Sequence, residues 1–208
     1  MAPFNINRLP VFTQEVFHFT LPNFEEWQKQ IKQIVLVEEN KDIHKHDTSP
    51  EKECNIMAKR TAWNSHQRYS VLKFLCDEIK KYLEIFIENE NYDIPSMRVQ
   101  NCWINWYGKD NYAQPHHHKG YLSVVVFVDV ENTDAKFFFH GDNNFVLTKK
   151  EDTKTNFNNI KSIEVKNGTV LFFDGSLYHS VSQNTTDKKR VTVAINYAPE
   201  YFEDRNEY

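Results

Sequence analysis

The sequence predicts an α+β protein in which amphipathic helices come first. About eight short strands follow in one run, the pattern of a β-sandwich or double-stranded β-helix of the jelly-roll type. Two observations carry this. Before Pro95 the apolar residues recur at helical spacing, and after it Val, Ile, Phe and Tyr gather in short stretches cut by polar turns. No stretch reads as a linker, so the 208 residues are expected to form one domain, 1–208, with a helical support region at 1–95 and the β core at 96–199.

In chain order, Asn23 is placed to cap a helix whose Phe24, Trp27, Ile31, Ile34 and Val35 share one face. Glu38 to Lys59 is polar, contains Pro50 and reads as loop. A longer helix follows Ser65, with Val71, Leu72, Leu75, Ile79, Tyr82, Leu83 and Phe86 on one stripe and Lys, Glu and Asp opposite. Both helices are expected to be scaffold packed on a sheet. The strand candidates are Arg98–Tyr107, Tyr121–Val130, Lys136–His140, Phe145–Thr148, Lys161–Val165, Thr169–Phe173, Leu177–Gln183 and Arg190–Ala198. Asn167-Gly168 and Asp174-Gly175 are turn signals, and the polar stretch Glu151–Asn159 suggests a mobile loop near one mouth of the barrel.

Composition narrows the function. Hydrophobic residues make up 40% and charged residues 26%, ordinary for a globular chain, and a net charge of -4 offers no basic surface for a nucleic-acid duplex. Cys54, Cys76 and Cys102 are an odd count without a CxxC pair, which argues against a disulfide framework or a thiolate zinc site and for reduced thiols in the cytoplasm. The opening MAPFNINRLPVF lacks the apolar core of a signal peptide, and no apolar run reaches the roughly 18 residues of a membrane span.

The chemistry concentrates in histidines. His116, His117 and His118 are consecutive. In an extended segment alternate side chains point the same way, so His116 and His118 can reach one metal while His117 faces away. His179, in a strand-like stretch after the Asp174-Gly175 turn, is the best third ligand. Neutral imidazole suits iron, zinc, copper or nickel. Three histidines in a loop would equally suit a solvated turn, and a lone His179 a core histidine. The order HxH, strand, distal His, then Arg on the next strand carries the metal reading.

Arg190 opens the strand Arg-Val-Thr-Val-Ala-Ile-Asn, where alternation puts Arg190, Thr192, Ala194 and Asn196 on one face. A face this polar between apolar neighbours makes sense if it lines a wet cavity. The planar guanidinium fork suits a carboxylate. Asn101, Trp103, Asn105 and Tyr107 likewise share a face.

These residues resemble the HxH-containing branch of the 2-oxoglutarate/Fe(II)-dependent dioxygenases, within the prolyl-hydroxylase-like superfamily, a branch common in marine bacteria and their phages. The resemblance rests on Cys102-Trp103-Ile104-Asn105, Pro115-His116-His117-His118, Ser123, Gly168–Phe173, His179-Ser180 and Arg190, with a weaker likeness at Trp63-Asn64-Ser65. It implies a double-stranded β-helix, jelly-roll and cupin-like, that binds Fe(II). It also implies 2-oxoglutarate and O2 as co-substrates, with hydroxylation of a small molecule or peptide and release of succinate and CO2. Carried onto this chain, it makes His116, His118 and His179 the metal ligands. Arg190 would hold the distal carboxylate of 2-oxoglutarate, helped by Tyr107, Ser123 or Thr192. Trp63, Asn105, Trp106 and Asn196 are guesses for substrate contacts. The chain departs from the wider superfamily at His118, where HxD or HxE is usual, so the metal would keep its full 2+ charge. Two other readings stay open: a three-histidine cupin-type dioxygenase in which Arg190 binds the substrate's own carboxylate, and a non-catalytic jelly-roll binding protein.

Overall fold

The first strands of the chain already belong to the sheet that carries the site. In the structure, a computed structural model, the described residues are 7–11, 14–40, 56–94, 96–118, 122–141 and 160–200. The elements in order are β1 (Asn7–Val11), β2 (Gln14–Thr20), α1 (Phe24–Glu39), β3 (Ile56–Met57), β4 (Lys59–Arg60), α2 (Ser65–Arg68) and α3 (Ser70–Asn89). The β core continues with β5 (Met97–Tyr107), β6 (Tyr112–His116), β7 (Leu122–Asp129), β8 (Phe137–His140), β9 (Ile160–Ile163), β10 (Thr169–Asp174), β11 (His179–Val181) and β12 (Arg190–Pro199). A seven-stranded sheet runs β1-β2-β10-β7-β12-β5-β4 and a five-stranded sheet runs β3-β6-β11-β8-β9. Every strand pairing is antiparallel.

Strand parity sorts the large sheet into two faces. Cys102, Ile104 and Trp106 of β5, Val124 and Val126 of β7, and Val193 and Ile195 of β12 pack with Ile31 of α1 and with Leu72, Leu75 and Ile79 of α3. The opposite residues, among them Val125, Phe127, Leu171 and Phe173, meet Phe137 and Phe139 of the small sheet inside the sandwich. The helices therefore brace the outer face, and the site lies between the sheets.

Several details differ from the sequence expectation, among them β6, which stands where no strand was expected, and the stretch Glu38 to Lys59, which holds the end of α1, β3 and the start of β4. The support region is not helical throughout: β1 and β2 extend the large sheet. In β2 the alternation is plain, with Phe17 and Phe19 packing on the helix side and Val16 on the inner side. The helix after Ser65 breaks at Tyr69, whose backbone is extended, giving α2 and α3. Asn23 does precede α1, but it adopts the left-handed conformation (φ 53°) and its side chain makes no capping hydrogen bond. The expected strand Phe145–Thr148 and loop Glu151–Asn159 lie outside the described residues.

Candidate metal centre

The small sheet brings the histidines together by register. His116 ends β6, His179 begins β11, and the two are direct cross-strand partners. His118 lies two residues beyond β6, where its backbone N–H donates to the Gly175 carbonyl at 2.8 Å. That carbonyl belongs to the Asp174-Gly175 turn leading into β11. Asp174 Oδ1 tightens the turn by accepting from the Ser176 backbone N–H at 2.7 Å and hydroxyl at 2.6 Å. The ring centroids lie 4.4 Å apart for His116 and His179, 4.8 Å for His118 and His179, and 5.5 Å for His116 and His118. One ligand nitrogen from each ring lies within 4.8 Å of the other two. Metal bonds of about 2.0–2.1 Å would draw those nitrogens to roughly 3 Å, a shift within side-chain rotation. His117 points away and packs on Tyr178 at 4.7 Å.

Each ring uses its Nδ1 for a hydrogen bond, which leaves Nε2 turned to the common point. His116 Nδ1 donates to the Gln114 carbonyl at 2.8 Å, and His179 Nδ1 to the Leu177 carbonyl at 2.9 Å. His118 Nδ1 lies 3.0 Å from both Asn196 Oδ1 and Ser123 Oγ. Such bonds choose the tautomer and orient the ring for a metal. Burial, foremost, holds all three rings below the usual imidazole range, His118 down to about 3 and His179 well below it, and repulsion among the imidazoles adds to this for those two. All three are therefore neutral near pH 7, the form that binds a metal. No carboxylate joins them among the described residues. Three neutral nitrogen donors with ordered outer bonds fit a divalent transition metal.

Arg190 is the other unusual group. It is 1% exposed at the start of β12, across from Tyr107, with its guanidinium over the Phe127 ring at 5.3 Å from the centroid. Its Nη1 donates to the Ala135 carbonyl at 3.0 Å, while Nε and Nη2 are buried without a partner among the described residues. Nε and Nη2 form one edge of the fork, the pair that grips both oxygens of a carboxylate. Burial lowers its pKa to about 10, partly offset by Tyr107, so it stays charged at neutral pH. A buried cation with two idle donors is costly unless an anion meets it. The residues present thus fit a carboxylic acid at Arg190 and a divalent metal at the histidines.

Beside the histidines lies a cleft floored by Trp103, Asn105 and Tyr107 of β5 and by Thr192 and Ala194 of β12. Ile56, Phe137 and Val181 close it from the small sheet. Among the described residues lining it there is no carboxylate. Trp63, 38% exposed, stands edge-on to Trp103 at 4.4 Å and carries the Arg60 guanidinium 3.9 Å above its ring. Trp103 in turn lies 5.4 Å from His118.

Some residues take other places than the sequence suggested. Trp106 is not in the cleft. It is 1% exposed in the helix-side core, because β5 alternates and only its odd-numbered residues from Asn101 to Tyr107 face inward. Ser123 and Asn196, expected at the co-substrate and the substrate, both have their polar atoms on the His118 ring. Sequence reasoning passed over Asn184. It is fully buried and donates to the Tyr107 and Lys188 carbonyls at 3.1 and 2.6 Å, fastening the turn that delivers Arg190. A lone Asn in a polar run gives no sign of that.

Residues 101–196 match a family model described as "Putative 2OG-Fe(II) oxygenase". No curated protein matches the sequence. Among solved structures, HygX from Streptomyces hygroscopicus with nickel and 2-oxoglutarate bound is 15% identical, with a TM-score of 0.60 over 92% of this chain and 86% of that one. A Pseudomonas putida prolyl-4-hydroxylase is 8% identical, with a TM-score of 0.60 over 96% and 95%. SnoK, a non-heme alpha-ketoglutarate-dependent carbocyclase from nogalamycin biosynthesis, is 15% identical, with a TM-score of 0.63 over 89% and 80%. At these identities the likenesses establish the fold, a double-stranded β-helix. The family match spans β5 to β12 and with them the three histidines and Arg190, so over this stretch the chain is similar to the 2OG-Fe(II) oxygenases.

Proposed function

We propose that this single-domain chain hydroxylates a small molecule or peptide, with iron held by His116, His118 and His179 and 2-oxoglutarate anchored at Arg190. The observation that carries the reading is the convergence of three histidines at a cleft that Tyr107 and Thr192 also line, with Arg190, the cross-strand partner of Tyr107, burying an Nε/Nη2 edge that has no partner among the described residues. Bound iron would supply the oxidising chemistry, coupling oxidation of a substrate C–H bond to conversion of 2-oxoglutarate and O2 into succinate and CO2. The chain's own residues bind, orient and exclude water. Arg190 takes the far carboxylate in a two-point grip, with the Tyr107 and Thr192 side chains beside its path. Phe127 and Phe137 keep that end dry, which strengthens the ion pair. Asn105 accepts from Trp103 Nε1 at 3.1 Å and so fixes the indole against His118. Trp63, exposed above Trp103, is the contact that a substrate meets first. HygX has been solved with hygromycin B bound, a precedent for a small-molecule substrate on this fold.

We place the protein in the cytoplasm, of a marine bacterium or phage. The free, buried thiols of Cys76 and Cys102 support a reducing compartment; no described helix is long and apolar enough to cross a membrane. The test is anaerobic loading with Fe(II) followed by O2 and 2-oxoglutarate, with succinate measured. Turnover lost in both His179→Ala and Arg190→Met supports the reading. Substrate oxidation without consumption of 2-oxoglutarate would instead favour a three-histidine cupin-type dioxygenase.

A further inference from the structure

His118 stands where the wider superfamily places a carboxylate, and the structure shows what surrounds it. Ser123 of β7 and Asn196 of β12 are direct cross-strand partners. They are 0% and 4% exposed, a buried polar pair whose strand neighbours Val124 and Ile195 are apolar. Ser123 Oγ donates to Asn196 Oδ1 at 2.9 Å, and both oxygens lie 3.0 Å from His118 Nδ1. β12 shifts register against β5 immediately after Asn196, an irregularity of the kind that re-aims a side chain next to a site.

The direction of these bonds matters. Asn196 Oδ1 accepts only, so His118 Nδ1 must carry the proton and Nε2 must be bare. A rotated amide would present N–H to Nδ1, move the ring proton to Nε2 and remove the lone pair from the metal's side. The Ser123 hydroxyl, donating to Oδ1, holds the amide against that rotation. His116 and His179 are oriented by backbone carbonyls, which no substitution deletes; His118 alone among the three depends on side chains.

We infer that Asn196, locked by Ser123, is the positioning residue that makes His118 a metal ligand. The inference rests on the reading of His116, His118 and His179 as the metal site. A neutral amide in this role also keeps His118 a neutral ligand, where an aspartate at 196 would pull on Nδ1–H and push charge toward the metal.

The test uses the full chain, with Co(II) as probe, by competition titration for affinity and by proton NMR of the hyperfine-shifted, exchangeable ring N–H signals. Wild type is expected to show three such signals, one per ligated ring. Asn196→Ala is expected to bind Co(II) about 10- to 100-fold more weakly and to lose the His118 N–H signal to solvent exchange. Asn196→Asp, which keeps the acceptor, is expected to restore both. Ser123→Ala, a smaller change in the same pair, is expected to weaken binding several-fold and serves where Asn196→Ala does not fold. Either Asn196→Ala or Ser123→Ala with wild-type affinity and all three signals would overturn the inference. Wild type that takes up no Co(II), or binds it undiminished in His118→Ala, would instead refute the metal site itself.

Discussion

Arg190 is the residue whose surroundings make least sense without a ligand. Its two idle donors are buried beside Phe127, and a charged group so placed destabilises the fold. Arg190→Met is therefore expected to raise the thermal midpoint of the metal-free protein while weakening 2-oxoglutarate by about 100-fold or more, two charge-assisted hydrogen bonds being lost. Calorimetric titration of 2-oxoglutarate into the Mn(II)-loaded protein under argon, set beside a melting curve, reads both. The imidazoles give a second expectation. His116, His118 and His179 have folded-state pKa values below the unfolded value, so below about pH 6.5 the unfolded chain takes up protons that the folded chain refuses. The stability of the metal-free protein is thus complete above that pH and falls as pH drops toward the folded values. Urea midpoints at pH 7.5 and 5.5 should differ in that direction, and a flat profile would contradict the burial of the rings. At this scale the sequence told a good deal: alternation alone puts Arg190, Thr192, Ala194 and Asn196 on one face, and the same rule, applied to β5, excludes Trp106. The partnership of Ser123 and Asn196 with His118 was out of reach, because it depends on how β7 and β12, 73 residues apart at that contact, come into register.

The elements divide the labour by sheet face. α1 and α3 stabilise the large sheet from outside, where Phe172 packs on Phe17 at 5.2 Å and on Phe86 at 5.2 Å. Phe172→Ala is expected to cost about 3–5 kcal/mol in urea denaturation, and the protein that remains folded should bind Co(II) as wild type does. Trp106→Phe, on the same face, should likewise leave the apparent KM for 2-oxoglutarate unchanged. The turn at Gly168 joins the two layers. Its φ is +84°, and a Cβ there would lie 2.9 Å from Phe24 Cγ at the start of α1. Gly168→Ala is expected to destabilise through both strain and that clash. The helices and β5, β7, β8, β9, β10, β11 and β12 were readable from their periodicities, whereas β6, which carries His116, and the two-residue strands β3 and β4 were not. Nor were β1 and β2, since β2 gains its identity by pairing with β10, whose position no local pattern reveals, and β1 by pairing with β2.

The whole molecule is an antiparallel sandwich whose two sheets each supply half of the site. The small sheet and the segment just after β6 contribute the three histidines; the large sheet contributes Arg190, the cleft floor and the pair that holds His118. This division explains why a histidine can stand in place of a carboxylate. The cleft contains no acid among its described lining residues, so the positive charge of a metal and of Arg190 is left for the dicarboxylate to neutralise. The most direct test is a crystal structure of the protein soaked anaerobically with Mn(II) and 2-oxoglutarate. The account predicts one ion bound by Nε2 of His116, His118 and His179, chelated by the keto acid, with the far carboxylate on Nε and Nη2 of Arg190. An ion ligated elsewhere, or a keto acid whose far carboxylate turns away from Arg190, would contradict it.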